Sequence, residues 1–202
     1  MTLPARDLWP HLVRAVSWQS ILVGGFVALA LAGRGFDAPL KQTLAAAALA
    51  LGASFAFDDP AAATLASSPS PLWWRRATRL ALTVPLAAVI WLAVVFVARL
   101  SPGATGSANL EATTLLAIVL CSAAVSVGRR GDGVGSVAAA PTLLAFLATA
   151  MALPARWALY PVGDRPGVWA VVLAAAVVAM FVACRDPAAP RLLAPSTAEV
   201  TC

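Results

Sequence analysis

The chain has 202 residues, 61% of them hydrophobic and 11% charged, with a formal net charge of +5 and a mean hydropathy of +0.86. A soluble domain carries about a quarter charged residues, and here the charges cluster between long uncharged runs, which argues against a soluble enzyme and for a membrane protein. The positive charge suits a surface rich in anionic lipid and does not imply nucleic acid.

At the amino end, residues 1–14, Leu8, Trp9, Leu12 and Val13 fall on one helical face with Val16 just beyond, while Arg6, His11 and Arg14 point elsewhere. That pattern predicts an amphipathic helix lying in the membrane interface. Six apolar runs follow, at 15–33, 42–57, 80–98, 112–128, 137–153 and 168–184. Most approach the roughly 20 residues a helix needs to cross about 30 Å of hydrocarbon. Lipid offers no partner to a free backbone group, and the alternation of a barrel strand is absent, so the runs are read as six transmembrane helices. Arg6 and Arg14 before the first run, with Ala28-Leu29-Ala30 inside it, resemble a signal peptide. Five further spans keep the chain in the membrane either way.

Lysines and arginines divide unevenly between the two sides. Arg6, Arg14, Arg75, Arg76, Arg79, Arg129, Arg130, Arg185 and Arg191 lie on one side, against Arg34, Lys41, Arg99, Arg156 and Arg165 on the other. The richer side is expected to be cytoplasmic, which makes this a multi-pass protein of the plasma membrane with both termini inside. Gly24, Gly25, Ser54, Ser122 and Ser126 would let helix backbones approach closely in a compact bundle. Pro85 and Pro141 are candidate kinks in the third and fifth spans.

The loop 58–79 contains two helix starts. Asp59 can cap a short helix whose first residue is Pro60, and Ser70-Pro71 launches a second that runs through Trp73 and the arginines into the third span. The glycine-rich stretch 128–135 reads as a tight, mobile connection. No Gly-Lys-Ser/Thr follows it, so no nucleotide site is expected in this chain. The segment 154–167 combines Trp157 and Tyr160 with prolines, as at an outer interface. The tail 185–202 carries Pro187, Pro190 and Pro195 and is expected to be extended.

Chemistry-bearing residues are sparse. His11 is the single histidine, and Cys121, Cys184 and Cys202 have no metal-ligand or disulfide spacing. Glu111, Asp58 and Asp59 stand at the ends of apolar runs and are expected to be capping or interfacial carboxylates. With no carboxylate at the midplane, a transporter energised by an ATPase in another chain is favoured over one driven by protons or sodium.

Within the loop, Asp58-Asp59, Ala63-Thr64, Leu65, Ser68-Pro69 and Arg79 occur in the order of an acidic group, a small residue with Thr, Leu, Ser/Thr-Pro and a basic entrance to span three. In that order the chain resembles ABC-2 type transporter permeases. It departs from them in having Ala63 where Gly is usual, a short stretch from Thr64 to Pro69, and a compact length. The resemblance implies an export-type permease subunit that moves an apolar or amphiphilic substrate and is not itself an enzyme. Its partners would be a nucleotide-binding ATPase subunit, carrying ATP and Mg, a second permease subunit of the same or a different chain, and membrane lipids. It further implies partner coupling through Asp58, Asp59, Pro60, Thr64, Leu65, Pro69, Trp73, Arg75, Arg76 and Arg79. A non-transporting scaffold or regulatory subunit is the alternative reading of the same composition.

Overall fold

The computed structural model describes residues 18–34, 37–58, 72–130, 135–152 and 165–184, the side chains of 38, 72–75 and 128–130 excepted. Every regular element among them is helical: α1 (Trp18–Ala32), α2 (Ala38–Ser54) with a 3-10 turn Phe55–Phe57, α3 (Leu72–Ala98), α4 (Pro102–Arg130), α5 (Ser136–Ala152) and α6 (Pro166–Ala183). The stretches Pro39–Phe57, Arg76–Ala98, Pro102–Val127 and Pro166–Ala183 are long and apolar enough to cross a membrane. The helices α1 and α5 are equally apolar but shorter, at 15 and 17 residues. The interfacial helix expected in 1–14, the short helix after Asp59, and the tail 185–202 lie outside the described residues.

Small side chains predominate in the interior, and many large ones face outward. The core is built on Ala45, Ala46, Ala50, Ala53, Ala87 and Ala123, with Ile21, Leu115, Val119 and Leu143 between them. Phe26, Val89, Leu92, Phe96, Leu144 and Phe181 are exposed. In water this distribution would leave many large apolar side chains exposed. In lipid, association depends on close van der Waals packing instead, which small residues permit. The inside-out pattern therefore marks a membrane protein independently of helix length.

Helices α2 and α4 form the centre. α2 packs against α1, α3, α4 and α5, and α4 packs against α2, α5 and α6. At the α1/α2 crossing Gly24 and Gly52 face each other, and a Cβ on Gly52 would stand 2.7 Å from the Ser20 carbonyl oxygen. Gly25 gives room to Ile90 of α3 in the same way. α6 is the peripheral helix, with Trp169 as its one buried residue. The Trp169 ring meets Phe146 of α5 edge-on, centroids 5.8 Å apart.

Pro85 and Pro141 sit inside helices that continue through them. Two boundaries differ from those read in the sequence. α4 begins at Pro102, ten residues before the apolar run that announced it, and extends through Gly128, Arg129 and Arg130. Ser101 explains the early start: its carbonyl accepts from the Thr105 N–H at 3.0 Å and its hydroxyl from the Ala104 N–H at 3.4 Å. Pro102 then stands at the first helical position, where its missing N–H does no harm. The far end of the supposed mobile connection is also tightly seated. A Cβ on Gly135 would come within 2.8 Å of the Ala123 carbonyl oxygen and 3.1 Å of the Phe57 Cβ.

Candidate functional site

Two places in the bundle concentrate polar chemistry. The first lies at the end where α2 finishes and α5 begins, called the Asp58 end below. Asp58 Oδ1 accepts from the backbone N–H of Gly135 at 2.7 Å and of Ser136 at 2.8 Å, and Oδ2 accepts from the Ser136 hydroxyl at 2.6 Å. The first N–H groups of a helix have no partner within it, and its amino end carries partial positive charge, so a carboxylate is well matched to both needs. Asp58 thus caps a helix 77 residues further along the chain. The Asp58 carbonyl in turn accepts from Arg79 Nη1 of α3 at 2.8 Å. One residue binds the exit of α2, the entrance of α5 and the first turns of α3. Beneath it, Phe57, Leu120, Ala123, Ala124 and Val127 form a separate apolar cluster against Met180 and Ala183 of α6.

Of the coupling residues expected from sequence, the structure brings Asp58 and Arg79 together. Arg76 is buried one turn earlier on α3. Its charge is felt at Cys184, just past α6, where it partly opposes the upward push that burial gives the thiol. Asp59, Pro60, Thr64, Leu65 and Pro69 lie outside the described residues, as do the side chains of Trp73 and Arg75.

The second place is inside the bundle. Glu111 was expected to be a capping or interfacial carboxylate at the start of its span, but it stands nine residues inside α4, on a stretch apolar enough to cross a membrane. Nine residues amount to about 13 Å of helix. The side chain is 4% exposed, too little for an interfacial group. Thr43 of α2 donates its hydroxyl to Glu111 Oε1. The same hydroxyl is 3.1 Å from the Pro39 carbonyl. A single hydroxyl between a carboxyl and a carbonyl can donate to the first, or accept from it and pass its own hydrogen to the second. The Thr43 hydroxyl can therefore satisfy the Glu111 carboxyl in either protonation state. Carboxyl groups at such depth are costly and mark function by default.

The Thr43–Glu111 pair joins the two central helices, so its energy is measurable as a coupling. In a double-mutant cycle of Thr43→Val and Glu111→Leu, scored by unfolding in mild detergent, we expect a coupling of about 0.6–2 kcal/mol. Additive single effects would show that the two side chains do not interact.

The sequence placed Glu111 at the end of its span because the fourth span was started where polar residues stop. The signal that could have found it is Ser101-Pro102, the same Ser-Pro helix start recognised at Ser70-Pro71. A third feature had no sequence signal at all. A cavity of about 530 Å³ opens between α4, α5 and α6, with Cys121, Ser122, Ser126 and Thr142 on its wall. The buried Ser126 hydroxyl has no hydrogen-bond partner among the described residues. No protein-family model matches the chain, and no curated protein or solved structure matches it either.

Proposed function

We propose that the chain is the membrane-spanning permease subunit of an ABC-type exporter. It moves an apolar or amphiphilic substrate with energy from ATP hydrolysed by a separate nucleotide-binding subunit. In this reading α1 and α5 cross the membrane with the other four helices, both termini are cytoplasmic, and an interfacial helix precedes α1. The segment after Asp58 carries a short coupling helix. A second permease subunit completes the pathway, and ATP and Mg reside on the ATPase.

The observation that supports this reading is the Asp58 junction. Force applied below segment 59–71 would reach α5 through the Asp58 carboxylate and α3 through Arg79. Rigid elements joined by charge-assisted hydrogen bonds transmit displacement better than apolar contacts, because their geometry is directional. The cavity beside Ser126 offers a polar wall within an apolar bundle, which suits an amphiphilic cargo.

The decisive experiment is gentle purification of the tagged chain, identification of what accompanies it, and an assay of the eluate for ATP hydrolysis. We expect a stoichiometric nucleotide-binding partner. Replacing Asp59 or Pro60, or reversing the charge of Arg75 and Arg76, should then uncouple hydrolysis from transport while insertion is intact. A chain that emerges folded and alone would end the ABC reading.

Glu111 favours a second reading, a permease driven by a proton gradient, since it is a buried carboxyl within the span whose partner Thr43 can satisfy it charged or neutral. Glu111→Gln separates the two. It would abolish proton-driven uptake or efflux in sealed vesicles, and would leave ATP-driven transport running.

A further inference from the structure

The buried carboxyl of Glu111 lies close to one end of the bundle and far from the other. α2 and α4 run parallel: Thr43 meets Glu111 near their starts, and Phe57 shares an apolar cluster with Val127 near their ends. The apolar stretch Pro39–Phe57 has 19 residues, about 28 Å of helix, which matches the roughly 30 Å of hydrocarbon. Thr43 stands four residues beyond Pro39, about 6 Å below that boundary, and Phe57 lies about 21 Å further on. Measured along α4, Glu111 is about 13 Å from Pro102 and about 24 Å from Val127, so both helices place it nearer the same end.

The two directions differ in chemistry as well as in distance. Toward the near end, the Thr43 hydroxyl that donates to Glu111 stands 3.1 Å from the carbonyl of Pro39, an exposed residue, and Lys41 and Gln42 are half-buried on the same first turns of α2. Water at Pro39 is therefore one hydroxyl away from the carboxyl. Toward the far end, Ala46, Ala50, Ala53, Leu115 and Val119 belong to one core, none of them more than 2% exposed. Thr114, on that side, gives its hydroxyl to the Leu110 carbonyl of its own helix. A groove of about 350 Å³ between α2, α3 and α4 runs beside this core; its polar wall residues, Asn109 and Thr113, lie at the level of Glu111, and Leu49, Val84 and Leu116 beyond them are apolar. A proton travels through hydrogen-bonded groups and water, and a close-packed apolar interface supplies neither.

No charged group competes for the carboxyl. Among the described residues α2 brings Asp37 and Lys41 to the near end, α5 has no ionisable side chain, and α6 has Arg165 before its first turn and Cys184 after its last. The arginines of α3 lie in its first turns, with Arg99 just past its last. Burial and the Thr43 hydroxyl act on Glu111, and none of these charges does. We propose that Glu111 exchanges its proton with the aqueous phase on the Pro39 side and is sealed from the phase on the Asp58 side. The carboxylate takes a proton from water of that phase and returns it there until the bundle rearranges. By the lysine and arginine count the Pro39 side is expected to be outside. The proposal rests on the proton-driven reading for what the exchange drives, in which this structure is the state loaded from the Pro39 side, whereas the exchange itself is read without transport.

The test uses the full chain in sealed membrane vesicles with dicyclohexylcarbodiimide, which enters bilayers and forms an adduct with a carboxyl in its protonated form. An impermeant maleimide on Asp37→Cys, an exposed position, fixes which compartment meets Pro39. Mass spectrometry reads the adduct at Glu111, and Glu111→Gln supplies the blank. Raising the pH on the Pro39 side from about 6 to about 9, with the other side held at about 7, should lower the labelling rate about tenfold or more, and the reverse experiment should change it less than about twofold. Infrared difference spectra give a second readout: the carbonyl stretch of a protonated carboxyl, lost in Glu111→Gln, should follow the pH of the Pro39 side. Labelling and stretch that follow the Asp58 side, or neither side, would overturn the proposal, as would the absence of both signals. Exchange from the Pro39 side in vesicles without proton-driven transport would support the sidedness and end the proton-driven reading.

Discussion

Replacing Gly52 with valine is expected to separate α1 from α2 and to cause a large loss of stability. The reason is reciprocal. A Cβ on Gly52 meets the Ser20 carbonyl oxygen at 2.7 Å and the Gly24 Cα at 3.1 Å, and a Cβ on Gly24 meets the Ala48 carbonyl oxygen at 2.7 Å. These obstacles are backbone, which cannot rotate out of the way, so the helices must shift apart. Overpacking of a close-packed interior costs about 1–3 kcal/mol, more where the backbone is the obstacle. Moving α1 also withdraws Ile21 and Ala28 from the core. Alanine at position 52 should already lower the unfolding midpoint in mild detergent, and valine should lower it further.

Gly106 provides the control. It is helical like Gly52, but a Cβ there meets nothing within 4 Å. Gly106→Ala should therefore gain about 0.5–1 kcal/mol from reduced backbone entropy of the unfolded chain. If Gly52→Ala and Gly106→Ala moved the midpoint alike, the α1/α2 crossing would not be as close as described.

The helical class, the apolar runs and the small-residue content were legible in the sequence because each is a local property. Helix length, composition and small-residue content need no knowledge of neighbours. Trp73 and the arginine cluster were expected on one helix leading into the third span, and α3 runs unbroken from Leu72 to Ala98. The misjudgements came where a boundary depended on capping more than on hydropathy. Polar residues such as Ser107 and Asn109 hid the first turns of α4, although Ser101-Pro102 was a sufficient start signal. Gly24 could be singled out as small, but its pairing with Gly52 depends on the crossing of two helices and has no trace in either one alone. Asp58 is similar. It was expected to be a capping or interfacial carboxylate, but the helix it caps begins 77 residues later, a distance no spacing rule covers.

That cap supports the second large expectation. Asp58→Ala removes the acceptor of three hydrogen bonds at once and leaves the Gly135 and Ser136 N–H groups at a partly buried helix start without a partner. Losing an N-cap costs about 0.5–2 kcal/mol, and bonds to a charged group are worth more than neutral ones, so about 2 kcal/mol is the expected loss. Ser136→Ala removes only the hydroxyl bond and should cost less than half as much. Asp58→Asn should fall between them, because its oxygen can still accept both N–H groups while the charge that complements the helix end is gone. The local readout is hydrogen exchange in the first turn of α5. Protection there should fall about thirtyfold in Asp58→Ala, with α1 little affected, since 1.4 kcal/mol is a factor of ten. The Arg79 bond to the Asp58 carbonyl does not involve the side chain and should survive. A variant with α5 loosened and α3 still held separates the two arms of the junction. Under the permease reading it should bind the ATPase and hydrolyse ATP while transport fails. Full transport in the loosened variant would place the transmission of force in α3 and remove the cap from the mechanism.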